Sequence, residues 1–146
     1  MTTATREEIR IGQLTIRFLL EGTATGGALA MFEFDVAAGA KLPAAHSHDA
    51  YEEIVYGLEG VLTWTINSRT HEIRPGNVLV IPRGAVHRFD NNHTATAKTL
   101  AVVTPGILGP QYFRELADIV NTAAGSPPDP TAVSAVMRKH GLTPAP

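Results

Sequence analysis

Apolar side chains recur at every second position through much of the first hundred residues, and this alternation confines the chain to extended structure. In "LTIRFLL", Leu14, Ile16, Phe18 and Leu20 share one face, with Thr15 and Arg17 on the other. In "ALAMFEFDV", Phe32, Phe34 and Val36 oppose Met31, Glu33 and Asp35; in "VLTWTI", Leu62, Trp64 and Ile66 oppose Thr63 and Thr65. A period of two marks half-buried strands, not helices. "NVLVIP" and "TLAVVT" are more uniformly apolar, which predicts strands covered on both faces. Turn formers interrupt at Gly26-Gly27, Glu59-Gly60, Asn67-Ser68, Pro75-Gly76 and Arg83-Gly84. Short strands with frequent turns predict an all-β sandwich or barrel. An α/β domain would need helices between the strands, and the spacings leave no room for them.

The period changes after Gly109. Pro110 suits the first turn of a helix. Phe113, Leu116, Ala117 and Val120 then fall on one helical face, and Gly125 ends the run. "SPPDP" is a stiff connector. Asp129 is placed to cap a second helix and Pro130 to start it, with Val133, Val136 and Met137 on its apolar side. Gly141 stops that helix, with Leu142 folding back on its last turn. The joint is too long for a DNA-reading helix-turn-helix, and the second helix offers only Arg138 and Lys139. The pair is expected to pack on the barrel, cover its mouth or meet a neighbouring subunit. Residues 1–108 therefore read as the β-barrel and 109–146 as a helical extension of the same domain, in keeping with 146 residues in all.

Composition narrows the partners. The formal charge is −2 and the basic residues are scattered, so nothing resembles the cationic stripe needed for nucleic acid or an anionic membrane. No apolar run is long enough to span a bilayer. "MTTATREEIRIG" lacks the apolar core of a signal peptide, so a cytoplasmic location is the expectation. Without an export signal, the sequon Asn92-His93-Thr94 carries no weight. There is no cysteine, which excludes disulfides and thiolate ligands. Any metal must be held by imidazole and oxygen donors.

"HSHDAYEE" offers such donors. On an extended segment His46 and His48 share a face, about 7 Å apart, and can tilt toward one metal about 2.0–2.1 Å from each nitrogen. Glu53 can supply an oxygen if the chain bends at Asp49-Ala50. Alone, one such pair among six histidines is also what a polar loop would hold. The second half lies in "GNVLVIPRGAVHRFDN": a strand ends at Pro82, a turn uses Gly84, and a new strand carries His87 and Phe89. A hairpin of this sort can bring His87 to the pair as a third imidazole. His71, in a hairpin, His93, in a polar stretch, and His140, at a helix end that suits its dipole, have no partner in the sequence.

The two segments resemble the two motifs of the cupin family. Gly39, His46, His48, Glu53 and Gly60 follow the first motif with one extra residue between Gly39 and His46. Gly76, Pro82, Gly84, His87 and Asn91 follow the second without a gap. The resemblance implies a double-stranded β-helix, a small jelly-roll barrel, with His46, His48, Glu53 and His87 as metal ligands. The family spacing selects Glu53 over Glu52, which strand alternation puts on the opposite face as a surface charge. Three imidazoles and a carboxylate suit one divalent transition metal: Fe, Mn, Ni, Co, Cu or Zn. In octahedral geometry two positions stay open. The expected function is that of a metal-dependent cupin acting on a small organic molecule, first an oxygenase of the quercetin-dioxygenase-like kind. The alternatives are an isomerase or lyase working through a bound enolate, and a non-catalytic small-molecule-binding cupin. Glu53 is also the candidate catalytic proton acceptor. Phe32, Phe34, Trp64 and Phe89 fall on inward faces, as core or as lining of a substrate pocket, and Tyr51 is placed to reach its rim. A homodimer is expected, since cupins pair through a barrel face or exchange an N-terminal strand.

Overall fold

The computed structural model describes residues 6–42 and 44–146. Two antiparallel sheets face each other across an apolar core. The six-stranded sheet runs in the order β1 (Glu7–Ile11), β2 (Leu14–Leu20), β3 (Ala30–Val36), β10 (Ala97–Thr104), β5 (Glu52–Glu59), β8 (Val78–Ile81). The five-stranded sheet runs β11 (Leu142–Pro144), β4 (His46–His48), β9 (His87–Asp90), β6 (Leu62–Ile66), β7 (Arg69–Ile73). This is the jelly-roll arrangement that the cupin resemblance implied, built from strands that the alternating pattern predicted.

The alternation does what its period dictates. Ile16, Phe18, Phe32, Phe34 and Val36 point inward and are buried, while Arg17, Glu33 and Asp35 form ion pairs on the outside. Turns fall where glycine is needed. Gly84 adopts φ +81° in the turn that leads into β9. Gly60 adopts φ +66°, and a Cβ there would lie 2.6 Å from the carbonyl oxygen of Thr96, a conformation and a clearance that L side chains cannot meet. Asn91, at the end of the second motif, is buried and donates from Nδ2 to the carbonyls of Val36 (2.9 Å) and Ala95 (2.8 Å). It ties β9 to the end of β3.

One strand expectation fails. The apolar runs in β8 and β10 were expected to be covered on both faces. Instead Val78 and Val80 are 59% and 53% exposed, and Leu100 and Val102 only half-buried. The reason is topological: β8 is an edge strand, and no described residue packs over the outer face of this part of the sheet.

The C-terminal helices form as the sequence predicts. α1 (Pro110–Thr122) begins at its proline and buries Phe113, Leu116 and Ala117. It is bolted to β1 by Asn121, which accepts from Gly12 N and donates to Arg10 O, each at 2.8 Å, and by the Arg114–Glu7 ion pair at its other end. α2 (Pro130–Lys139) starts at Asp129, whose Oδ1 accepts from Thr131 N at 3.0 Å, satisfying one of the free N–H groups of the first turn. Gly141 does stop the helix, at φ +82°. Leu142 is buried where the chain folds back against α2, and it has a second role that the sequence did not show. It opens β11, a strand too short to leave a periodic signature, which pairs with β4. Among the described residues no helix is long and apolar enough to cross a membrane.

Candidate metal centre

β4 presents His46 and His48, and β9 presents His87 directly beside them, since His46 and His87 are register partners. The ligand nitrogens of the three imidazoles lie within 4.8 Å of one another. Glu53 comes from β5 in the opposite sheet. Its Oε1 lies 3.7 Å from His48 Nε2 and 3.9 Å from His87 Nε2. Glu52, its neighbour, points the other way and is bound by Arg83 on the surface, Nε to Oε2 at 2.5 Å. Strand alternation thus separates the two glutamates as the sequence predicted.

Backbone carbonyls orient two of the rings. His46 Nδ1 lies 3.1 Å from Ala44 O, and His87 Nδ1 lies 2.9 Å from Ala85 O. Each contact fixes the tautomer that carries its proton on Nδ1 and leaves Nε2 free to ligate. The turn before β9 is itself tied to β4, as Gly84 N donates to His48 O at 2.8 Å.

The electrostatics suit a cation. Burial pushes Glu53 up to about 8, and no Lys or Arg among the described residues pairs with it. Burial, reinforced by His87, brings His46 down to about 4; burial likewise holds His48 and His87 below the usual imidazole range. Burial thus works against charge on Glu53 and on the histidines beside it alike. A buried carboxyl that prefers neutrality and imidazoles that resist protonation are costly without a partner, and a divalent ion satisfies all four at once. Ligands about 2.1 Å from a shared ion sit about 3.0–3.4 Å apart, so the cluster needs only small side-chain shifts to close. The residues present fit the group.

The cluster opens into a cavity of about 70 Å³. Phe32, Phe34, Trp64 and Phe89 line it, and Phe32, Phe34 and Trp64 are at the same time buried members of the core. They form one aromatic wall, with Trp64–Phe89 and Phe34–Phe89 centroids 4.8 and 5.1 Å apart. Tyr51 does not reach the rim. It is fully buried and stacks on His48 at 4.4 Å, bracing the ring and lying outside the cavity lining. The tight bend between β4 and β5 turns it into the core. Sequence reasoning also missed the contribution of α1: Tyr112, Phe113 and Leu116 line the same cavity. Phe113 and Leu116 had been recognised as one helical face, but nothing local said which wall that face would meet. His140 has a partner after all: it contacts Glu115, which Lys139 also binds, pinning the end of α2 to α1. His93 lies 3.4 Å from Glu72, and His71 stays on the exposed strand β7.

The chain is similar to known proteins in sequence and in fold. Residues 32–103 match the cupin domain family. Over 75 residues the chain is 35% identical to quercetin 2,3-dioxygenase of Bacillus subtilis, a stretch that covers 50% of this chain and 21% of that protein. The chain thus spans about a fifth of that relative's length. A solved sugar phosphate isomerase from a cupin superfamily, from Silicibacter pomeroyi, is 27% identical and superposes with TM-score 0.57 over 68% of this chain and 71% of its own. A predicted oxalate decarboxylase from Thermotoga maritima, at 22% identity and TM-score 0.62 over 70% of this chain and 94% of its own, shares the fold.

Proposed function

The chain belongs to the cupin superfamily, and from that premise we propose that it is a metal-dependent enzyme acting on a small organic molecule, first of all an oxygenase. One observation carries the reading: three imidazoles and a carboxyl without a cationic partner converge at the end of an aromatic cavity. His46, His48, His87 and Glu53 would hold one divalent transition metal. Bound there, the ion supplies a Lewis acid with open coordination positions. The chain's own residues do the rest. Phe32, Phe34 and Phe89 exclude bulk water around the reacting end of the substrate. Tyr112, kept protonated mainly by burial, brings a hydroxyl donor from α1 to the cavity lining for a substrate oxygen. Glu53, beside the cavity, is the group placed to accept a substrate proton.

The likeness to a quercetin dioxygenase supports the oxygenase reading. The likeness to a sugar phosphate isomerase supports a second reading, in which Glu53 moves a proton between carbons of a chelated substrate. Oxygen uptake separates the two. Protein loaded in turn with Fe(II), Mn(II), Ni(II), Co(II) and Cu(II) is offered phenols, diketones and flavonols. We expect uptake with at least one metal, lost in His87→Ala. Flat uptake with every metal, together with an isomerisation, would replace the first reading by the second.

A further inference from the structure

We propose that the groove between the C-terminal helices and the barrel rim holds the body of the substrate, whose oxygen-bearing end passes between Leu42, Ala44 and Leu116 to reach the histidine cluster. The inference rests on the metal-centre reading above and names the substrate class.

The cavity at the cluster, about 70 Å³, is too small for a substrate beyond its reactive end; small-molecule sites run to several hundred Å³. Beside it lies a groove of about 760 Å³. Leu42, Ala44 and Leu116 line both spaces, so a single layer of side chains separates them. Ala44 is exposed, and His46, two residues on, is the ligand histidine that is only partly buried, so the cluster is most open on this side.

The groove's walls state what it accepts. Val120 from α1, Val133 and Pro130 from α2, and Ile11 at the end of β1 give it an apolar surface. Gln13, Lys41, Asn121, Ser126 and Ser134 add scattered polar groups, and the Asn121 side chain is already bonded to the backbone of Gly12 and Arg10. A densely hydroxylated sugar phosphate would leave most of its oxygens unpaired there. An alkyl or aryl body with a chelating head, such as a hydroxyketone, a diketone or a hydroxamate, matches both spaces: the head against the histidine cluster at the end of the small aromatic cavity, the body in the larger, mainly apolar groove. The helical extension thereby becomes the part of the chain that sets specificity.

Straight-chain hydroxamates, from acetohydroxamate to octanohydroxamate, test this on protein loaded with cobalt(II), whose visible absorption reports coordination of the head. We expect affinity to rise by at least about tenfold along the series, since each buried methylene contributes. Ser134→Trp, at a half-buried groove position, should abolish that gain while leaving the cobalt spectrum and acetohydroxamate affinity unchanged. Val120→Trp should do the same from the opposite wall, and guards against misfolding of either variant. Affinity independent of chain length, or a gain that persists in both variants, overturns the inference while leaving the metal centre standing. Failure of cobalt to bind at all overturns the metal-centre reading, and this inference with it.

Discussion

Glu53 is the residue on which stability and function pull in opposite directions. Folding places it where its neutral form is favoured, with a pKa of about 8 against 4.5 for the free side chain. Its contribution to the metal-free fold is therefore fully present below pH 4.5 and lost as pH rises through 8. The histidines behave oppositely. His46 is depressed from 6.5 to about 4, so its contribution is present above 6.5 and lost as pH falls toward 4, and His48 and His87 shift the same way. Glu53→Gln removes only the first effect. At pH 7.5 the metal-free variant should be more stable than the parent by about 2–4 kcal/mol, each pKa unit being worth about 1.4 kcal/mol. Near pH 4.5 the difference should vanish. Chemical denaturation of the metal-free proteins measures both, and equal stability at pH 7.5 would mean that the carboxylate is buried without cost. In parallel the variant should lose metal affinity, because a carboxamide brings no charge. The identity of these residues was legible in advance, since an alternating strand must separate Glu52 from Glu53 and the two-motif spacing is long and specific. Tyr51 was not: its position between ligands says that it is near the site, while which side of His48 it packs on is decided by the bend at Asp49-Ala50.

At the level of elements, the least expected feature is the strand that supports the ligands. β4 is three residues long and shares a single register pair, His46 with His87, with β9. Its other edge is held by β11, which pairs Leu142 with His48, Thr143 with Ser47 and Pro144 with His46. Thr143 Oγ1 donates to Asp49 Oδ1 at 2.7 Å, and Asp49 N donates to Gly141 O at 2.9 Å. Ending the chain at His140 should therefore weaken cobalt(II) binding by about 10–100-fold, the range seen when groups orienting metal ligands are lost. Far-UV circular dichroism should change little. Titration of both forms with cobalt checks this, and unchanged affinity would show that β9 and the Gly84–His48 bond suffice. The helices were readable from their period, Pro110 and Pro130 at their starts and Asp129 as a cap. β11 was not, because three residues after a helix stop show no alternation, and its pairing is a fact about residues nearly a hundred positions away.

For the whole molecule, the uncovered face of the six-stranded sheet is the remaining question. Register places Tyr56 beside Val78 and Leu100, and Ile54 beside Val80 and Val102. Tyr56, Val78 and Val80 are 41%, 59% and 53% exposed. Contiguous apolar patches of this kind mark interaction surfaces. We propose that two copies of the chain meet through this face. Val80→Arg should convert a dimer to a monomer in sedimentation equilibrium with metal content unchanged; a wild-type chain that stays monomeric at high concentration would exclude the pairing. The architecture was legible because alternation and turns repeat over many segments, whereas the apolar run of β8 was misread because a buried strand and an edge strand that awaits a partner have the same composition. The pairing of β4 with β11 also orders events in time. Asp49 and Thr143 stand 94 positions apart, and closing so long a loop is slow. In a chain emerging from the ribosome all three imidazoles are made well before Leu142–Pro144, the strand that completes the support of β4. Were an ion held there, as proposed above, it would meet its four side chains before the last support of β4 is in place, and local supply would weigh beside ligand chemistry in deciding which ion that is.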